Sequence, residues 1–408
     1  MPRFADIRGQ DRALELLRLA VAKDRLHHAY LFHGVRGVGK TTTAIALAQF
    51  LNCEQPTDVD SCGDCRSCRR IDRFQHPDVH WIFPMAGSER GQKLKGNERV
   101  DAIRAVMEER LGPGIHGLSY PGAASIAIGR DEDSRVGSVG ELRHRSGYTA
   151  VEARYKVFVV SEAERMTREA ANSLLKVLEE PPPDNLLVLT AQRPGQLLDT
   201  IVSRCQSIRF RDWTEEEIAG FLGEKGGWRF ESAPGKRKKE WKQTVPDAGT
   251  ASLAAALAGG SLTRAEELSR EDMVTVRDGA VHFLGLAPGD PELHKWVANL
   301  VDELGLLAGK KGTAVENDRR VIELVLDFGL LWYGDLLRAV TGSAVPLANR
   351  DRDRDIREQA RTLSVEEIRR RITLLEETRA ALRGNVYRPL VLYSLIYALA
   401  GDKEHAVS

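Results

Sequence analysis

The stretch Gly34-Val35-Arg36-Gly37-Val38-Gly39-Lys40-Thr41 constrains this chain most, because it fills every fixed position of the pattern G-x-x-x-x-G-K-[ST]. Glycines there let the backbone turn tightly, so that successive N–H groups converge on phosphate oxygens at the positive end of a following helix. Lys40 then reaches the β- and γ-phosphates and the Thr41 hydroxyl faces Mg²⁺, while Gly34, Gly37, Val38, Gly39 and Thr42 complete a nucleotide cradle. The flanks agree. Residues 29–33 read as a short buried strand, and 42–51 as an Ala/Leu-rich helix without a breaker.

At 408 residues the chain exceeds one ordinary core, and two or three domains are expected. Its 59 basic residues balance 59 acidic ones, so no global field draws it to nucleic acid, and any DNA contact is local or shared with partners. No apolar run approaches the roughly 20 residues that span a bilayer. The opening Met1-Pro2-Arg3-Phe4-Ala5-Asp6 lacks the apolar core of a signal peptide. A cytoplasmic location without a membrane partner is expected.

Four of the five cysteines, Cys53, Cys62, Cys65 and Cys68, fall within sixteen residues, spaced C-x8-C-x2-C-x2-C. In a reducing compartment this clustering argues against disulfides, and four thiolates on short loops can close a tetrahedral Zn²⁺ site. Gly63 and Asp64 supply the turn between Cys62 and Cys65. All four ligand positions are filled, so the site is expected to be structural and closed to water. Unliganded or redox-active thiols are the alternative.

Strand-like and helical stretches alternate over the first 210 residues, as in an α/β domain with a parallel sheet. Strands are predicted at 29–33, 79–83, 156–160, 185–190 and 207–211. Between the second and third lies a long segment, with helices predicted over 99–111 and 136–145. Its charged, glycine-rich part, 85–122, and the basic stretch 225–242 read as surface insertions. Lys236-Arg237-Lys238-Lys239 reads as a solvated charge run. Phosphate contact is the alternative, with Trp228 and Trp241 as stacking faces. Thr214-Glu215-Glu216-Glu217 is a capping box that opens a helical unit. From about 271 onward apolar residues recur at helical spacing over 319–340, 364–382 and 387–400.

Several strings then converge: residues 4–10, Ser161-Glu162-Ala163-Glu164-Arg165-Met166, residues 171–182 and Thr200-Ile201-Val202-Ser203-Arg204-Cys205. With the phosphate loop and the cysteines, they resemble the AAA+ subunits of the bacterial DNA polymerase III clamp loader. The resemblance is strong over 1–210 and architectural beyond. It implies an α/β P-loop AAA+ domain with a zinc-binding insertion over 1–212 (zinc module 53–68), a small helical lid over 213–272 and an all-α collar for oligomerisation over 273–408. It also implies a hetero-pentamer with gamma/tau and delta subunits that uses ATP to load a sliding clamp onto primer-template DNA. Arg204 is implied to be a trans-acting arginine finger, whose fork over a neighbour's γ-phosphate makes hydrolysis depend on assembly. Cys205 is read as packing. Thr190 matches the position that senses γ-phosphate, although Ala191-Gln192-Arg193 departs from the usual polar pair. Arg264 matches a nucleotide-contacting arginine at a helix start, an exposed arginine being the alternative.

Two members of the family must be separated. A gamma/tau motor subunit ends its third strand in Asp-Glu, the Asp holding Mg²⁺ through water and the Glu polarising the attacking water. This chain has Ser161-Glu162 there. A hydroxyl cannot supply the charge, so weak or absent hydrolysis is expected, with Glu162 as a residual catalytic carboxylate. That departure, with Glu164-Arg165-Met166 following and no long tail after the helical unit, resembles delta-prime. The alternatives are a gamma/tau-type motor and, from another class, a free-standing zinc-containing P-loop DNA-repair enzyme or helicase. No nuclease-like carboxylate cluster or helicase string supports the last.

Overall fold

The computed structural model describes residues 3–84, 125–128, 138–232, 239–269, 273–300, 314–382 and 387–400. The predicted helix over 99–111 and the cations 236–238 lie outside them. The chain forms two compact units: Met1–Trp213 with Trp228–Lys242 and Gly260–Arg264, and Thr214–Gly227 with Gln243–Gly259 and Ala265–Ser408.

The first unit is built on a parallel five-stranded sheet in the order β2-β3-β4-β1-β5. Its strands are β1 (Ala29–His33), β2 (Val79–Ile82), β3 (Lys156–Val160), β4 (Asn185–Ala191) and β5 (Gln206–Arg209). Every end lies within two residues of the predicted one. Alternation sorts the core into two layers, as a sheet covered on both faces requires. Tyr30, Phe32, Val157, Val159 and Val188 join α1 (Asp11–Ala22) and α2 (Lys40–Asn52) on one face. Leu31, Phe158, Val160, Leu187 and Leu189 join α4 (Val139–Ser146) and α5 (Arg168–Glu179) on the other, α3 (Arg66–Asp72) lying beside α2. Helix α5 shows why. Thr167 caps it by accepting from Ala170 N at 3.3 Å. Ala170, Leu174, Val177 and Leu178 form its buried stripe, and Pro181 follows its end. Truncating Leu174, which is fully buried, to Ala removes packing worth about 2–5 kcal/mol. A short α6 (Asp199–Val202) leads into β5.

The stretch 225–242, read as a surface insertion, carries strands that the sequence reading did not predict. It contains strands β6 (Gly227–Ser232) and β7 (Lys239–Thr244), paired as a two-stranded sheet. In the sequence, Trp228, Arg229, Phe230 and Glu231 alternate with a strand's period of two, a short signal masked by the density of charge.

The second unit is helical among the described residues apart from strand ends: α7 (Glu215–Lys225), α8 (Ala248–Ala258), most of α9 (Leu262–Leu268), α10 (Met273–Gly285), α11 (Pro291–Ala298), α12 (Ala314–Thr341), α13 (Asp353–Ala360), α14 (Val365–Ala381) and α15 (Arg388–Ala400). The capping box is present: Thr214 Oγ1 accepts from Glu217 N at 3.2 Å, and the Glu217 carboxylate accepts from Thr214 N at 3.0 Å. The long α12 packs against α10, α13 and α14. A Cβ at Gly329 would stand 2.6 Å from Leu284 and 2.9 Å from Leu375, so this glycine sets the helix approach. Arg277, fully buried, is matched by Asp351 at 2.7 Å and Asp278 at 2.8 Å, as a buried charge requires. No described helix is long and apolar enough to cross a membrane.

Candidate nucleotide site and cysteine cluster

The C-terminal ends of β1, β3 and β4 open onto one pocket. Arg36, Gly37, Gly39, Lys40, Thr41 and Thr42 line it from the loop and α2, Ser161, Glu162 and Glu164 from the turn after β3, and Thr190, Ala191 and Gln192 from the end of β4. Gly34 and Gly37 are required by dihedral and by space. Their φ values are 149° and 80°. A Cβ on Gly34 would stand 2.5 Å from the Phe210 carbonyl oxygen, and one on Gly37 2.6 Å from Thr263 Oγ1. Val38 points its side chain into the core instead. Lys40 Nζ donates to the Gly34 and Val35 carbonyls, both at 2.7 Å. Burial pushes its pKa down to about 8, against the opposing pull of Glu164 and Glu162.

The turn after β3 carries the acidic side of the pocket. Glu162 adopts the left-handed conformation, φ 51°, rare for a residue with a Cβ. Its N–H donates to Thr190 Oγ1 at 3.1 Å, so Thr190 fixes the backbone of this turn. The Glu162 carboxylate sits 2.7 Å from Arg165 Nε, and burial raises its pKa against the effect of that arginine. Ser161 is 1% exposed and its Oγ has no partner. Glu164 Oε1 accepts from Gln192 N at 3.1 Å, while Oε2 is buried and unpartnered.

Seven of the sequence-predicted residues therefore meet at the pocket: Gly37, Gly39, Lys40, Thr41, Thr42, Glu162 and Thr190. Gly34, Val38, Arg204 and Arg264 do not line it. Arg264 follows Thr263, which packs on Gly37. Arg204 stands after α6, 35% exposed in its side chain, held by Thr200 O at 2.9 Å and Glu179 at 2.9 Å. Sequence reasoning missed Arg36, Glu164 and Gln192 as lining; the acidic string after β3 was the available signal. The donor set fits a Mg²⁺-nucleotide: a lysine and backbone N–H groups for phosphate, Thr41 for the ion, and two orphaned polar atoms suited to ion-bound water.

The cysteine cluster is local. The sulfurs of Cys53, Cys62, Cys65 and Cys68 all lie within 4.8 Å of one another, Cys53 and Cys65 at 4.0 Å. Thiolates about 2.3 Å from a tetrahedral Zn²⁺ would stand about 3.8 Å apart, so the group fits that ion. Backbone N–H groups already aim at sulfur: Cys62 N at Cys53 (3.2 Å), Cys65 N at Cys62 (3.3 Å) and Cys68 N at Cys65 (3.4 Å). Gly63, φ 75°, makes the turn. The N–H of Asp64 above all lowers Cys62 to about 7, whereas burial raises Cys68. Asp60 ties the same loop to the start of the fold, accepting from Phe4 N at 3.2 Å and Ala5 N at 2.9 Å. Cys205 stands apart, its thiol pushed by burial up to about 12, and serves packing.

Over residues 9–214 the sequence matches the family described as DNA polymerase III, delta subunit. The chain belongs to that family. It is 35% identical over 202 residues to DNA polymerase III subunit delta' of Bacillus subtilis, a match covering 50% of this chain and 47% of that protein. It is 34% identical over 208 residues to the gamma/tau subunit of Mycobacterium tuberculosis, covering 51% and 28%. The matched region thus spans less than half the length of these relatives. A gamma subunit-related protein from Thermotoga maritima aligns over 95% of this chain and 98% of its own at 15% identity, with a TM-score of 0.37, too loose to bear on the site.

Proposed function

We propose that this chain is a delta-prime-type subunit of a bacterial DNA polymerase III clamp loader, binding ATP with Mg²⁺ but hydrolysing it feebly if at all. The observation that carries the reading is Ser161. It occupies the strand end beside Lys40 and Glu162 where a motor needs a carboxylate, so the pocket can hold phosphate without a full hydrolytic pair. The relationship to delta' supports it. In this reading the Cys53, Cys62, Cys65 and Cys68 thiolates hold a structural Zn²⁺ in the AAA+ domain, which spans 1–212. The lid spans 213–272, and the collar, 273–408, joins gamma/tau and delta subunits in a cytoplasmic hetero-pentamer. Arg204, outside its own chain's pocket, completes a neighbour's active site. Thr190 and Arg264 act as nucleotide sensors. The assembly uses ATP to place a sliding clamp on primer-template DNA.

The similarity to gamma/tau and the intact loop favour a second reading, an active motor. Steady-state ATPase separates the two. The isolated chain is expected to be slow, and a loader lacking it to lose clamp- and DNA-stimulated turnover. Motor-like turnover of the isolated chain, abolished by Glu162→Gln, would overturn the delta-prime reading.

A further inference from the structure

Two orphaned polar atoms share the turn after β3. Ser161 Oγ is buried without a partner, and so is Glu164 Oε2, although buried polar atoms are seldom left unpaired. Both residues line the nucleotide pocket. The left-handed Glu162 and the 3₁₀ turn Ala163–Arg165 bring Glu164 into that lining. Of the two acids, Glu162 is committed to Arg165 at 2.7 Å. Glu164 commits only one oxygen, to Gln192 N, which fixes the carboxylate and leaves the other oxygen open. Glu164 also acts on the Lys40 ammonium more strongly than Glu162 does.

We propose that Glu164 supplies the anionic contact, through water, for the Mg²⁺ that accompanies nucleotide, with the Ser161 hydroxyl as a neutral second partner. The inference rests on the nucleotide-binding reading above. Mg²⁺ keeps several of its waters and is held by one or two carboxylates together with substrate phosphates, so a carboxylate oxygen near a polar hydroxyl suits its hydrated shell. Serine at 161 then removes the charge from the strand end, and the chain restores it three residues later.

The test is equilibrium titration of the full chain with a fluorescent ATP analogue, in Mg²⁺ and in EDTA. Wild-type chain should bind at least about tenfold more tightly with Mg²⁺. Glu164→Gln keeps an acceptor for Gln192 N, yet should reduce that gain to about twofold or less. It should also bind metal-free ATP about threefold more tightly, because an acid no longer repels the phosphates. These opposite movements distinguish a charge role from damage to the fold. Adding Ser161→Asp to Glu164→Gln should restore the Mg²⁺ gain. A wild-type gain in Glu164→Gln, or failure of the double variant to recover a lost gain, overturns the inference while leaving nucleotide binding intact. Absence of binding by wild-type chain in both buffers overturns the nucleotide reading itself, and this inference with it.

Discussion

The cysteine cluster and the nucleotide pocket lie in the same unit and are built on opposite plans. The cluster draws its four sulfurs from residues 53–68 and positions them with its own backbone N–H groups. The pocket gathers 36–42, 161–164 and 190–192 from the ends of separate strands. Local construction makes the first site depend on its own loop. Assembly from the sheet makes the second depend on strand order, and leaves room for a serine where a carboxylate is expected, since no single loop must stay intact. The cluster should therefore behave as a module of stability, and the pocket as a module of chemistry that tolerates losing hydrolysis while retaining binding.

The comparison is broken most severely by a residue that serves neither site of its own chain. Arg204→Ala should lower the stimulated ATPase of the reconstituted loader by at least tenfold and toward 10³-fold, while zinc content and this chain's nucleotide affinity stay unchanged. Arg204→Lys should behave alike, because an ammonium lacks the planar fork. ATPase assays with assembly confirmed by gel filtration decide it. Unchanged turnover in a complete complex would remove Arg204 from the chemistry.

Next in size is Lys40→Ala. Losing the charge-assisted contacts should weaken ATP binding about 30- to 100-fold, read by titration. Metal analysis should still find one Zn²⁺ per chain, and a parallel loss of zinc would mean that the two sites are not independent.

A pH series sharpens the same point. Lys40, ordinarily near 10.5, sits at about 8 in the folded chain. Between these values the unfolded chain keeps a proton that the folded chain has released, so the nucleotide-free protein gains stability as pH rises through this window. Affinity moves the other way, because phosphate needs the charged lysine: from pH 7 to pH 9 it should fall about tenfold. Flat affinity across that range would show that Lys40 is not the phosphate contact.

The smallest effect on nucleotide comes from the other site. Cys62→Ser should abolish stoichiometric zinc and lower the melting temperature by about 5 °C, with ATP affinity changed less than about twofold. Less than a tenth of an equivalent of zinc in wild-type protein with intact thiols would sink the metal assignment.

What the sequence revealed followed the same division. The cysteine cluster was legible because its members are close in sequence as well as in space, and the glycine-rich loop because Gly34 and Gly37 are demanded by the close approach of Phe210 and Thr263. The sheet was legible because β1, β3 and β4 are buried on both faces and read as apolar runs. Glu164 and Gln192 were not. Their membership in the pocket depends on a left-handed Glu162 and on β4 lying beside β3, neither of which spacing encodes. The β6–β7 pair was hidden by the charge of residues 225–242, which outweighed the alternation beneath it.

The Asp60 carboxylate has a consequence for the order of folding. It grips the backbone at Phe4 from 56 residues further along the chain. Phe4 leaves the ribosome before Asp60, so this backbone contact cannot form until the cysteine loop has emerged. A contact with that separation carries a loop-closure cost before any reward. The turn Phe4–Asp6 should therefore settle after the local helices α1 and α2, with the cysteine loop as its clasp.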